Sequence, residues 1–201
     1  MTFGDFVAIQ RGHDLPDQDR KSGSVPILGS FGITGYHDTV KAKGPGVTIG
    51  RSGASFGVAA YSDQDYWPLN TALYVTDFKG NHPKFVFYFM KAFDFSGFNS
   101  GSAQPSLNRN NLYPVAIRVP LPSEQRAMAE MLGALDGRIT LLRETNATLE
   151  TIAQALFKSW FVEFDPVRAK AEGLEPEGMD AATAALFPDS LEESELGVVP
   201  K

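Results

Sequence analysis

The side chains best suited to binding chemistry lie in glycine-rich stretches of the first 122 residues. They are basic, amide or hydroxyl side chains: Tyr36, His37, Lys41, Lys43, Arg51, Ser52, Ser102, Gln104, Asn108 and Arg109. Lys and Arg bind phosphates, and Arg, Gln and Asn can also form paired hydrogen bonds with base edges in the DNA major groove. By composition alone, ordinary surface loops are the simpler interpretation, and Asn108 in particular is typical of a residue that caps local backbone groups.

Catalytic and metal-binding motifs are not apparent in the sequence. His13, His37 and His82 lie far apart and do not have the spacing of metal ligands. The segment 44–52 resembles a phosphate-binding loop, but Arg51 occupies the position of the lysine that such a loop requires. We therefore expect a non-catalytic chain without a metal, S-adenosylmethionine or ATP of its own.

The first 122 residues have the pattern of an α+β (mixed α/β) domain. Short β-type runs at 47–49, 73–75 and 115–119 predict strands, and the glycine-rich stretches 29–38, 43–57 and 99–110 are predicted to connect them. Pro83 suits the first position of a helix. The apolar residues that follow it surround the helix almost completely, which predicts that this helix is buried.

A long helix is predicted from Ser123 to about Phe164, where Ser123 could cap its start. Apolar residues there repeat at alternating spacings of four and three, which is a heptad pattern. At about 1.5 Å per residue, this helix would be about 63 Å long. Its pairing face, together with a central asparagine, consists of Met128, Leu132, Leu135, Ile139, Leu142, Asn146, Leu149 and Leu156. One helix cannot bury such a stripe alone, so we expect a partner helix.

The charge of −6 is unevenly distributed along the chain. Residues 1–122 contain 11 Lys and Arg against 9 Asp and Glu, whereas residues 123–201 contain 7 against 15. The first part is therefore mildly basic, which is compatible with nucleic acid. The lack of cysteine, of a signal peptide pattern and of a long apolar segment favours a cytoplasmic protein.

The order of the motifs resembles a known family. The motifs GSVPILGSFGITGYHD, VTIGRSGASFGV, DYWPLNTALYV, GSGSAQPSLNRNNL, VPLPSEQRAMAEMLGALDGRI and FKSWFVEFDPVRAKAEG are similar to those of specificity subunits of type I restriction–modification systems. The resemblance covers residues 3–200. In that family, a subunit usually has two target-recognition domains, each followed by a long helix, and the two helices pack antiparallel.

The resemblance implies a target-recognition domain at 1–122, a long conserved helix at 123–165 and an acidic, flexible tail at 166–201 that is similar to the lead-in of a second recognition domain. It implies that this domain reads one half of a bipartite DNA site. It also implies methyltransferase and restriction subunits as partners. Those partners would carry S-adenosylmethionine, ATP and magnesium. The chain would be a half-length subunit. It could be a natural half-length protein, a truncated gene product or an engineered piece.

Two interactions are expected of the long helix. We predict an antiparallel homodimer, in which Asn146 would lie close to its symmetry mate and fix the register, and this dimer would read a palindromic bipartite site. Aromatic residues at the C-terminal end suit methyltransferase docking: Phe157, Trp160, Phe161 and Phe164. Packing of these four rings onto the domain's own core is the alternative. A scaffold protein that does not bind DNA and an inactive truncated subunit remain the alternative functions.

Overall fold

The structure is a computed structural model that describes residues 1–100, 105–195 and 197–201. The chain forms two compact units, Met1–Leu135 and Asp136–Lys201. Its helices are α1 (Phe3–Phe6), α2 (Pro83–Ala92), α3 (Arg109–Leu112), α4 (Pro122–Phe161), α5 (Asp165–Ala171) and α6 (Ala181–Ala184). Its strands are β1 (Ala8–Arg11), β2 (Val25–Gly29), β3 (Gly32–His37), β4 (Gly46–Gly50), β5 (Ala59–Ser62), β6 (Trp67–Pro68), β7 (Ala72–Asp77), β8 (Leu191–Ser194) and β9 (Gly197–Pro200).

Two sheets build the first unit. One is antiparallel with the strand order β1-β7-β4-β5, and the other has the order β3-β2-β6, in which β2 and β6 are parallel. Helix α2 packs against β4 and β5, and the rings of Phe3 and Phe6 contact those of Phe85 and Phe89 in the main core. This arrangement confirms the predicted α+β fold, and four apolar side chains of α2 are buried as expected.

The strand predictions succeeded in part. Residues 47–49 lie in β4 and residues 73–75 in β7, as predicted. The strand predicted at 115–119 is wrong, because this segment forms only an isolated bridge between Thr2 and Ala116. The stretch 29–38 was predicted as a connection but contains β3. Its glycines hid the strand, since glycine is depleted in strands.

The long helix α4 begins at Pro122 and ends at Phe161. The predicted start at Ser123 is therefore one residue late, and the Glu124 carboxylate accepts a hydrogen bond from the amide of Leu121 at 2.8 Å. The predicted end near Phe164 is late as well, because Phe164 has a left-handed backbone, with φ of 57°. The seven apolar side chains of the pairing face are 39–57% exposed in the single chain.

The second unit contains more regular structure than its sequence predicted. Residues 166–201 include most of α5, the helix α6 within the short helical piece expected near 180–186, and an antiparallel hairpin of β8 and β9. The Lys170 ammonium donates to the carbonyl oxygens of Ala184, at 3.2 Å, and Phe187, at 2.5 Å, which connects α5 to the segment around α6.

Candidate nucleic-acid interface

Three arginines line an open cleft of about 340 Å³ in the first unit. Arg11 is the last residue of β1, Arg51 follows β4, and Arg109 is the first residue of α3. The other lining residues are Leu73, Ser100, Ser106, Leu107 and Asn108. The strand order β1-β7-β4 places the two strand ends on either side of β7, whose Leu73 lies in the cleft.

Backbone hydrogen bonds hold the Arg51 loop against the segment that precedes α3. The amide of Leu107 donates to the carbonyl of Arg51 at 2.7 Å, and the amide of Gly53 donates to the carbonyl of Pro105 at 3.2 Å. The Arg51 amide in turn donates to the carbonyl of Thr71 at 3.0 Å. These bonds fix two loops that are distant in the sequence as the walls of one cleft.

Asn108 and Arg109 position the third wall. The Asn108 side-chain Oδ1 accepts a hydrogen bond from the amide of Asn110 at 3.0 Å. Asn108 therefore caps α3, as expected of an asparagine in this loop. Arg109 Nη1 donates to the carbonyl of Ile9 at 3.2 Å, and the Tyr113 hydroxyl donates to the same oxygen at 2.9 Å. A guanidinium has five N–H donors, so this contact orients Arg109 and leaves further donors for a ligand.

The charge of the cleft is positive. None of the described residues that line it is acidic. Arg11 forms an ion pair of 3.5 Å with Asp14, and both side chains are more than half exposed. Such an exposed pair is weak and gives way readily to a competing anion. Three guanidinium groups in one cleft therefore suit phosphate oxygens or the O6 and N7 acceptors of guanine.

The sequence predicted Arg51, Asn108 and Arg109 as site residues but missed Arg11. Arg11 and Arg51 both follow a short run of strand residues, and this shared position was the available signal. The signal is weak, because the adjacency of β1 and β4 to β7 arises from long-range strand pairing. Ser52 lies beside the cleft, where it forms an isolated bridge with Ser106.

Ser102 and Gln104 lie outside the described residues. The other predicted residues lie away from the cleft. His37 is 5% exposed, its Nδ1 accepts from the amide of Lys21 at 3.1 Å, and its ring packs edge-on against Trp67. The structure therefore contradicts its predicted place in an exposed loop, because His37 is buried as the last residue of β3. Lys43 forms an ion pair of 2.7 Å with Asp65, whereas Tyr36 is exposed on β3.

A second polar group surrounds Trp67. The Lys41 ammonium lies 5.5 Å from the centre of the Trp67 ring, and His13 Nε2 lies 3.3 Å from the hydroxyl of Tyr74. Gln10 also bonds to that hydroxyl. Burial lowers the pKa of His13 below its usual value, and the positive charge of Lys41 lowers it further, while Asp14 has a smaller opposite effect.

The second unit contains an apolar cavity of about 450 Å³. It is lined by Trp160, Phe161, Phe164, Val167, Thr183, Leu186, Phe187, Pro188 and Pro200. The ring centres of Trp160 and Phe161 lie 5.7 and 6.1 Å from that of Phe187, and the Phe157 ring lies tilted beside Phe161. Three of the four aromatic residues predicted for docking thus line this cavity, and Phe157 and Phe161 are more than half exposed.

The described residues contain neither a metal-binding cluster nor a membrane-spanning helix. Among residues 1–100, 105–195 and 197–201, no group of three or more His, Cys, Asp or Glu side chains could hold a metal ion. Within the same residues, no helix has the length and apolar character needed to cross a membrane.

Curated relatives are specificity subunits of type I restriction enzymes. The chain is 43% identical over 82 residues to that of HindI from Haemophilus influenzae, a match that covers 41% of this chain and 18% of the relative. It is 34% identical to that of MjaIX from Methanocaldococcus jannaschii, over 42% of this chain and 21% of the relative. It is 24% identical to that of EcoprrI from Escherichia coli, over 76% of this chain and 39% of the relative. The matches thus span less than half of each relative.

Solved structures show the same fold. The S subunit of a type I restriction–modification system from M. genitalium superimposes with a TM-score of 0.59 at 16% identity, over 92% of this chain and 47% of that one. The HsdS subunit from Thermoanaerobacter tengcongensis superimposes with a TM-score of 0.51 at 18% identity, over 80% of this chain and 44% of that one.

The family described as "Type I restriction modification DNA specificity domain" matches residues 1–151. The chain therefore belongs to the type I restriction modification DNA specificity domain family.

Proposed function

We propose that the first unit binds duplex DNA sequence-specifically and reads one half of a bipartite site. The observation that carries this proposal is the cleft in which Arg11, Arg51 and Arg109 converge without an acidic lining residue among those described. Guanidinium groups bind phosphate and guanine edges in a planar, two-pronged geometry that lysine lacks. A scaffold that binds only protein gives no reason for this convergence.

The predicted residues take different roles in this proposal. Arg51 holds a phosphate or a guanine edge, and Lys41 and Lys43 bind the flanking backbone, although Lys43 must first leave Asp65. Arg109 reads a base, because its anchor on the Ile9 carbonyl fixes its direction. Ser102 and Gln104 belong to the same loop in the sequence and remain predicted base contacts.

We infer a division of labour with partner subunits. This chain selects the address, while methyltransferase subunits methylate adenine with S-adenosylmethionine, and restriction subunits cleave DNA with ATP and magnesium. A methyltransferase needs the adenine turned out of the duplex, which requires a catalytic pocket of its own. The aromatic side chains around the apolar cavity, including Phe157 and Phe161, are the surface proposed for methyltransferase docking. We propose that the chain performs this role in the cytoplasm, together with those partner subunits.

The pairing face of α4 supports a further part of the proposal. Seven apolar side chains at heptad spacing are 39–57% exposed, so a partner helix would remove a continuous apolar stripe from water. We propose an antiparallel homodimer, because like surfaces close most simply about a two-fold axis. Two identical readers about such an axis require a palindromic site with two separated halves.

Equilibrium binding of the full chain to DNA tests the central proposal. Duplexes enriched by the wild-type chain from a randomised pool serve as the probe, and binding is measured between about 50 and 200 mM salt. Arg11→Ala and Arg51→Ala should weaken binding, and loss of a phosphate contact should lower the salt slope by about one. Arg118→Ala is the matched control, since Arg118 is exposed and does not line the cleft.

Two results would count against the proposal. No enrichment of any duplex, together with no salt-dependent affinity, would favour a scaffold or an inactive truncated subunit. Equal affinities for the cleft variants and the Arg118 variant would remove the cleft from the interface. Mapping of methylated adenines after co-expression with the cognate methyltransferase tests the homodimer, since an asymmetric motif would exclude two identical readers.

A further inference from the structure

The tip of the hairpin formed by β2 and β3 exposes a large aromatic side chain. Gly29 pairs with Gly32, so the connection consists of Ser30 and Phe31 alone. Phe31 is 67% exposed. Two-residue hairpin connections favour Gly, Asn and Asp, and Gly32 already provides the unusual backbone here, with φ of 112°. Turn geometry therefore does not account for phenylalanine at this tip.

The tip lies beside the arginine cleft. A Cβ added to Gly50 would lie 2.9 Å from the carbonyl oxygen of Ser30 and would collide with the carbonyl of Ser55. Ser30 directly precedes Phe31, and Gly50 directly precedes Arg51 of the cleft. Because consecutive Cα atoms are about 3.8 Å apart, the backbones of Phe31 and Arg51 lie close to each other.

The charge of the hairpin suits the same ligand as the cleft. Residues 22–37 contain no acidic side chain, so these residues themselves add no negative charge that would repel a phosphate backbone. Ile33 and Tyr36, both more than half exposed, follow the tip on β3 and extend its apolar surface. An apolar projection next to three guanidinium groups matches a duplex, which has charged phosphates outside and apolar base faces inside.

We propose that Phe31 is a wedge that enters between base pairs of the duplex held by the arginine cleft. This inference rests on the proposed DNA binding and adds to it a base-stacking contact. Arginines neutralise the phosphates, while the ring replaces part of the stacking that the separated bases lose. Sequence preference then comes in part from the ease with which a base step opens, which is a property of the DNA rather than of a hydrogen bond.

The test uses the full chain and the duplexes enriched by the wild-type chain. Phe31→Ala should weaken binding about 5- to 150-fold, which corresponds to the loss of one stacked base. The salt slope should not change, because no charge is removed. Phe31→Trp should bind with the affinity of the wild-type chain, because it keeps an aromatic ring at the tip. Permanganate reactivity of thymines, which reports unstacked bases, should appear with the wild-type chain and Phe31→Trp and disappear with Phe31→Ala.

Leu121→Ala is the matched control, because Leu121 is an apolar side chain of the same unit with 68% exposure. Circular dichroism and thermal unfolding establish that each variant is folded. If Phe31→Ala binds as tightly as Leu121→Ala while Arg51→Ala binds weakly, the wedge is overturned and the cleft stands. If Phe31→Ala lowers methylation by the assembled complex without lowering DNA affinity, the tip is a protein contact and the wedge is again overturned. If no duplex is enriched at all, both proposals fall.

Discussion

Gln125 Oε1 accepts a hydrogen bond from the backbone amide of His82 at 2.9 Å. The same side chain donates from Nε2 to Asn81 Oδ1 at 2.8 Å and to the carbonyl of Pro120 at 3.0 Å. Gln125 is 1% exposed in the first turn of α4, and His82 is the residue before α2. One buried amide therefore attaches the start of the long helix to the start of the buried helix of the first unit.

Replacement of Gln125 by Leu should destabilise the first unit by about 1–3 kcal/mol, because the His82 amide loses its buried acceptor. Urea unfolding followed by circular dichroism measures this loss. Gln154→Leu is the control, since Gln154 lies on the exposed surface of the same helix. Equal unfolding midpoints for the two variants would mean that the hydrogen bonds of Gln125 contribute nothing to stability.

Asn108 permits a separation of folding from DNA binding. Asp at this position should still cap α3, so Asn108→Asp should keep the free energy of unfolding within about 0.5 kcal/mol of wild type. Its added negative charge in the cleft should weaken binding to the enriched duplexes, most strongly at low salt. Asn108→Ala should instead lose the cap and about 1 kcal/mol of stability. Undiminished DNA affinity in Asn108→Asp would contradict DNA binding at this cleft.

The lowered pKa of His13 predicts that the stability of the chain depends on pH. Its pKa is lowered in the folded chain, so the unfolded chain binds more protons near and below the unfolded pKa of about 6.5. The contribution of neutral His13 is therefore fully present above that pH and is lost as the pH falls towards the folded pKa. Urea unfolding from pH 8 to 5 should show this loss, and His13→Gln should remove it. An unchanged pH profile in His13→Gln would assign the dependence to other groups.

The chain contains no cysteine, which allows a direct test of helix pairing. In an antiparallel homodimer, Asn146→Cys should form an intermolecular disulfide under mild oxidation, because the two copies of residue 146 lie close together. Met128→Cys should not, since its symmetry mate would lie near the opposite end of the helix pair. Non-reducing electrophoresis gives the result. Cross-linking of both variants would indicate parallel helices, and cross-linking of neither would reject the proposed register.

The sequence predicted those features that depend on local periodicity. The heptad spacing predicted α4, whose ends differ from the prediction by one residue at Ser123 and three at Phe164. The apolar residues after Pro83 predicted the buried α2, and the composition of its loop predicted that Asn108 caps local backbone. These features follow from bonds between residues a few positions apart, which the order of the chain already contains.

Tertiary structure alone decided which side chains meet. Arg11 lies in the cleft because β1 and β4 both pair with β7, and His37 is buried at the end of β3, where its ring contacts that of Trp67. The segment 115–119 has strand composition, yet it forms only an isolated bridge, between Ala116 and Thr2 near the N-terminus. Strand pairing and burial depend on contacts between distant residues, so the sequence determined the types of side chain available, and the fold determined which of them share one surface.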